Sequence, residues 1–180
     1  MKSKTNYRWL IKIVLISVVA TMVFTFVSSE ILGRAGYIIA LAVLVVFILL
    51  GVILDMIGIA VAAASEAPFH SMAAHREKGA YESLRLIKNA DKVNSFCNDV
   101  VGDVAGIISG ATAALIAERL MGGFSTDNLL FPLLISGAVT GLTVGGKAAG
   151  KAFAFNNSTV IVLRVGKLIH VLGLKSYSKK

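Results

Sequence analysis

An all-α, multi-pass membrane protein is the fold class that this 180-residue sequence predicts, and three observations predict it. Hydrophobic residues make up 56% of the chain and charged residues 16%, where soluble domains run at about 45–50% and about 25%. The mean hydropathy of +0.79 comes from four long runs with few or no charges rather than from an even spread. Of the 18 lysines and arginines, only Arg34 and Arg119 fall in the two turns that a four-span topology puts outside. The rest lie in the amino-terminal tail, the 66–98 loop and the carboxy-terminal region, as the positive-inside rule asks of a chain with both ends in the cytoplasm. The compartment expected is the plasma membrane, with residues 1–180 as a single membrane domain.

Lys2, Lys4, Arg8 and Lys12 precede the charge-free run Ile13 to Ser29. A basic start before an apolar run also describes a signal peptide, but Phe-Val-Ser-Ser-Glu offers no small-x-small cleavage site. The run reads as a retained span over 9–29. Glu30 to Arg34 reads as a short polar turn. The second span, 35–62, belongs to an apolar stretch that reaches residue 65 with Asp55 as its sole charge. At about 1.5 Å per residue that stretch exceeds a ~30 Å hydrocarbon core, so it must tilt, kink near Gly58 or run on past the surface. Pro68 marks a stop nearby.

Residues 70–96 carry most of the interior charges, with an apolar stripe through Leu84, Ile87 and Phe96. They predict one or two amphipathic helices lying at the membrane surface. Spans follow over 99–121 and 128–147, the second with Pro132 in its first turns. Residues 156–173 read as a second amphipathic cytoplasmic helix, ending in a basic tail suited to anionic lipid.

Small residues recur at four-residue spacing as Gly102, Gly106 and Gly110 on the third span, and as Gly137, Gly141 and Gly145 on the fourth. Gly51, Asp55, Gly58 and Ala62 share a face of the second. Such stripes let helix backbones approach closely where lipid supplies no hydrophobic force. The first span has none and is expected to be peripheral.

Asp55, Asp99, Asp103 and Lys147 are the charges within, or at the edge of, the apolar spans. A charge at mid-bilayer depth costs about 2.5–3.5 kcal/mol on insertion scales. Asp99 and Asp103, at i and i+4, repel unless a cation, a proton or a base such as Lys147 lies between them. Three readings stay open. The aspartates and Lys147 form internal ion pairs; or Asp55 and an aspartate of the third span hold a hard cation through oxygen, as Mg²⁺ requires; or one aspartate carries a proton. Asp99 has a further reading as an acidic residue near a helix start.

These elements and residues resemble the transmembrane domain of the CNNM/CorC family of magnesium and cobalt transport proteins. The family's Gly-Ala, leucine-rich helix and Asp-Arg/Lys resemble Gly79-Ala80 through Leu84 to Asp91-Lys92. Counted back without gaps, its S-G-S-E-x-A-L falls on Asp55-Met-Ile-Gly58-Ile-Ala60-Val61. Its G-N-N-L-V-N is similar to Cys97-Asn98-Asp99-Val100-Val101-Gly102, or in a slipped register its G-N to Gly102-Asp103. Its G-E-x-x-P-K resembles Gly146-Lys147-Ala-Ala-Gly150-Lys151. The resemblance covers about residues 40–170. It implies a dehydrated Mg²⁺ site on Asp55, Asp99 and Asp103, with Asn98, Gly58, Gly102 and Lys147 along the ion pathway or as counter-charge. Asp55 stands for the family's Ser, Gly58 for its Glu, Lys147 for an acidic residue and Gly150 for proline, so the site is not carried over intact. The family's CBS pair has no counterpart in these residues, and no gating through it is expected.

The expected function is a CBS-less, divergent relative of these divalent-cation transporters, with Mg²⁺ or Co²⁺ as cargo and no resident cofactor. The alternative is a non-transporting assembly or regulatory protein whose acidic residues pair with Lys147. The resemblance also implies a homodimer. No enzyme is expected, since no phosphate loop, HExxH helix or nucleophile–base pair occurs. The net charge of +8 is read as lipid-directed, with no nucleic-acid partner. His70, His75 and His170 are too scattered to form a metal site, and Cys97, the single cysteine, allows no intramolecular disulfide.

Overall fold

The computed structural model describes residues 7–34, 36–124 and 130–172, and among these the secondary structure is entirely helical. The basic residues of both tails, apart from Arg8 and Lys12, lie outside the described residues. The elements in order are α1 (Tyr7–Arg34), α2 (Tyr37–Ala63), α3 (Glu66–Ala74), α4 (Ala80–Lys88) and α5 (Ala90–Ser95), then a π-helical segment (Phe96–Gly102), α6 (Asp103–Phe124), α7 (Leu130–Asn156) and α8 (Ser158–Val171). Three stretches are long and apolar enough to cross a bilayer: Tyr37–Ala63, Ala90–Glu118 and Pro132–Asn156. In α1, Ile11–Phe26 is a further, shorter apolar stretch among the residues whose side chains are described. Outward-facing Ile38, Leu41, Leu49, Leu134 and Leu142 are more than half exposed, which suits side chains that meet lipid rather than water.

Several boundaries differ from the sequence expectation for physical reasons. Glu30 to Arg34 form the last turn of α1 instead of a turn. The overlong second run neither kinks nor breaks at Gly58. It stays one helix of 27 residues, about 40 Å long, and its last turn enters a core built with the shorter helices. Pro68 lies inside the first turn of α3, where its missing N–H costs nothing, and the break falls at Ala64–Ser65. The third span begins earlier than residue 99, because α5 runs through the π-helical segment into α6 as one helical rod. Asp99 is thus some ten residues inside that rod, and the reading of it as a helix-start acid does not hold. α7 likewise continues past Lys147 to Asn156, so Gly146 and Lys147 are mid-helix residues.

This core joins the end of α2 (Ala60, Val61) to α3 (Phe69, Ala73), α4 (Ala80, Leu84), the end of α7 (Ala154) and α8 (Val162). Helix α3 stops in a Schellman arrangement. The Glu77 N–H donates to the Met72 carbonyl at 2.9 Å, the Arg76 N–H donates to the Ala73 carbonyl at 3.0 Å, and Arg76 takes φ 56. Gly79 then caps α4 at φ 85. Its backbone meets α8 so closely that an added Cβ would stand 2.5 Å from the Lys167 nitrogen. Buried Ser83 closes the crossing, its hydroxyl donating to the Gly79 carbonyl at 2.8 Å and the Val162 carbonyl at 3.1 Å. Gly79→Ala therefore adds backbone strain and a backbone clash together, and is expected to destabilise the protein by about 2–4 kcal/mol. Gly36→Ala, at φ −71 with nothing within 4 Å of an added Cβ, is the comparison without strain or clash. Thermal midpoints in detergent check the pair, and a Gly79→Ala protein as stable as wild type rules out this α4–α8 crossing.

The same crossing carries two ion pairs, Lys167–Glu77 at 3.4 Å and His170–Glu82 at 2.8 Å. Partial burial pushes the Glu82 carboxyl up, but the hydrogen bond from His170, a backbone hydrogen bond and the His170 charge outweigh it. The group titrates below its ordinary value. The link is therefore at full strength above the usual carboxylate range and is lost as pH falls through the lower, folded-state value. The stability difference between wild type and His170→Ala should shrink toward zero on that acid side. A difference that grows there contradicts the assignment.

Candidate functional site

Small residues on α2 settle how the spans meet. Gly51 faces Ala105 and the Gly102 carbonyl, while Gly58 faces Asn94 and Cys97. These pairings run in opposite directions, so α2 lies antiparallel to the α5–α6 rod. A Cβ added at Gly146 of α7 would stand 3.1 Å from Val52, and one at Gly150 would run into Met56, so α7 runs parallel to α2. Asp55 is one turn from Gly51 and nearly one from Gly58 on the shared face. Its side chain therefore looks onto the π-helical segment between those contacts.

Asp55 is fully buried, at 0% exposure, and neither of its carboxylate oxygens has a hydrogen-bond partner. The buried Oδ1 of Asn94, in the same interface, also lacks a donor. Buried carboxylates without a partner are rare because desolvation is uncompensated. A π turn widens the helix and disturbs the regular i→i−4 ladder, a feature common at functional sites. The Lys147 ammonium reaches across from α7 and donates to the Gly102 carbonyl at 3.4 Å. This is the basic residue predicted near the acids, yet it rests on a backbone carbonyl and not on the Asp55 carboxylate.

The other predicted residues are placed differently. Asp99 and Asp103 are exposed on the rod while Gly102, between them, is buried. Asn98 is half-buried and its amide donates to Asp99 at 3.4 Å. Gly58 and Gly102 are both buried at the contacts just described. The structure thus brings Asp55, Gly58, Gly102 and Lys147 to one interface and leaves Asp99 and Asp103 at its outside. Among the described residues, no three His, Cys, Asp or Glu side chains come together as a metal-holding group. His70 pairs with Glu66 within α3, and His170 of α8 pairs with Glu82 of α4.

Sequence reasoning missed Asn94, whose polar oxygen faces Gly58. The signal available was its place one turn before Asn98 on the same rod. Of the glycine stripes, Gly106, Gly110, Gly137, Gly141 and Gly145 have nothing within 4 Å, whereas Gly102, Gly146 and Gly150 make the contacts. The chain matches no protein-family model, no curated protein and no solved structure.

Proposed function

We propose that the chain is a membrane carrier for a small hard cation, a divergent relative of the CNNM/CorC transporters with Mg²⁺ or Co²⁺ as cargo. The observation that carries the reading is Asp55, a fully buried carboxylate whose two oxygens have no partner, between Gly51 and Gly58 where α2 packs on the rod. Carboxylate, amide and carbonyl oxygens are the donors hard cations select, and Mg²⁺ needs few protein ligands because it keeps several waters. Asp55 would be the charged ligand, with Asn94 and backbone carbonyls of the π-helical segment completing the oxygen set. Lys147 would be a tethered cation that holds the Gly102 carbonyl and yields to the incoming ion by repulsion. Asp99 and Asp103, exposed beside the segment, would gather cations at its approach.

The open glycine faces of α6 and α7 favour a homodimer, since small residues in lipid are otherwise places where a second helix sits. The second reading keeps the fold without transport, as a plasma-membrane assembly or regulatory protein with both termini in the cytoplasm. It draws on Lys147, whose bond to Gly102 ties α7 to the rod whatever Asp55 does. Uptake of Mg²⁺, Co²⁺ or Mn²⁺ by proteoliposomes under an imposed gradient separates the two. The carrier reading expects flux above empty vesicles for at least one of these ions, and flux of none of them removes it.

A further inference from the structure

We infer that the cytoplasmic groove between α3 and α4 is a binding site for the phosphate headgroup of an anionic membrane lipid. The groove encloses about 490 Å³, with Arg85, Lys88 and His70 around it, Leu84 in its wall and Tyr81 at its edge. A hollow of that size falls in the range of small-ligand pockets, about 300–1,000 Å³.

Three observations choose the occupant. The first is charge. Among the described residues Arg85 and Lys88 have no carboxylate partner, whereas Glu66 is engaged with His70, Glu77 with Lys167 and Glu82 with His170, and Asp91, exposed one turn past Lys88, is not part of the groove lining. Two free cations one turn apart on α4, over one hollow, complement a phosphate diester. The second is depth. Leu84 in the groove wall and Ala73 behind it belong to the core built on Ala60 and Val61, the last turn of α2. With α2 a candidate span through Ala63, that core would set the groove beside the end of the span, near the headgroups. The third is the edge, where Tyr81 is 65% exposed, as aromatic rings are at a membrane–water interface. A free phosphate would need the two cations but neither the depth nor the ring.

Protein reconstituted in phosphatidylcholine vesicles, with or without phosphatidylglycerol, and released into native mass spectrometry gives the test. Wild type should retain phosphatidylglycerol in preference to phosphatidylcholine. Arg85→Gln with Lys88→Gln should lower that retention about ten- to thirty-fold, while Lys151→Gln with Arg164→Gln, which removes the same charge from exposed sites on α7 and α8, should leave it. All four positions are exposed, so folding is not at stake, and equal melting temperatures confirm it. Equal losses in the two double variants would mean diffuse attraction and overturn the site. So would retention without preference between the lipids. Displacement of phosphatidylglycerol by inorganic phosphate at comparable concentration would overturn the lipid as occupant.

Discussion

Asp55→Asn should raise the thermal midpoint in detergent while lowering cation flux in proteoliposomes at least tenfold. The two effects share one cause. The carboxylate is fully buried and unpartnered, so the fold bears a desolvation cost that nothing within the chain offsets. Insertion scales put a mid-membrane charge at about 2.5–3.5 kcal/mol, and relief of even half of that is measurable as added stability. The neutral amide is isosteric, leaves no cavity and removes the charge a cation would need. Sites that gain stability when disarmed are those held in strained readiness for a ligand. The ion-pair reading expects the reverse. If Asp55 served as structural counter-charge, its neutralisation would strand the partner and cost about 3–5 kcal/mol. A less stable Asp55→Asn protein with wild-type flux therefore ends the carrier proposal.

Lys147→Glu should tighten Mg²⁺ binding about ten- to a hundred-fold, read by calorimetry on the detergent-solubilised protein. Lys147 stands on the π-helical segment, donating to the Gly102 carbonyl, and Asp55 looks onto the same segment. A unit charge one helix diameter away is worth about 1–2 kcal/mol at an effective dielectric near 20, and this exchange swings two units toward attraction. It also releases the Gly102 carbonyl. Lys147→Met, which removes the charge without reversing it, should fall between wild type and Lys147→Glu. Binding that is unchanged or weaker in Lys147→Glu would place the cation away from α7 and break the likeness of Gly146-Lys147 to the family's acidic motif.

How much of this was legible in the sequence depended on whether a feature is local. Apolar runs are local, and the spans that begin at Tyr37 and Leu130 fall near their expected starts because a bilayer admits only helices at that length. Asp55 stood out because a charge inside such a run is conspicuous wherever the run packs. The glycines were not legible in the same way. Gly137, Gly141 and Gly145 have the same four-residue spacing as Gly146 and Gly150, yet only the latter two touch α2. Rotation of a helix about its own axis is set by its partner, and spacing cannot report it. Asp99 and Asp103 show the same limit. Both lie on the exposed side of the rod, as do Gly110 and, in part, Gly106. Their spacing says that they can share a side, and packing decides that this side does not meet α2.

From the chain of residues alone came the helical membrane class and the costly acid at position 55, since each follows from composition against a fixed ~30 Å solvent slab. Only the packed structure decided which acid lies inside and which stay out. It also decided that Lys147 rests on a carbonyl, and that α3, α4 and α8 fold back onto the end of α2. Those outcomes depend on helix rotation and on contacts between residues far apart in the chain, and in lipid they are chosen by close fit between backbones.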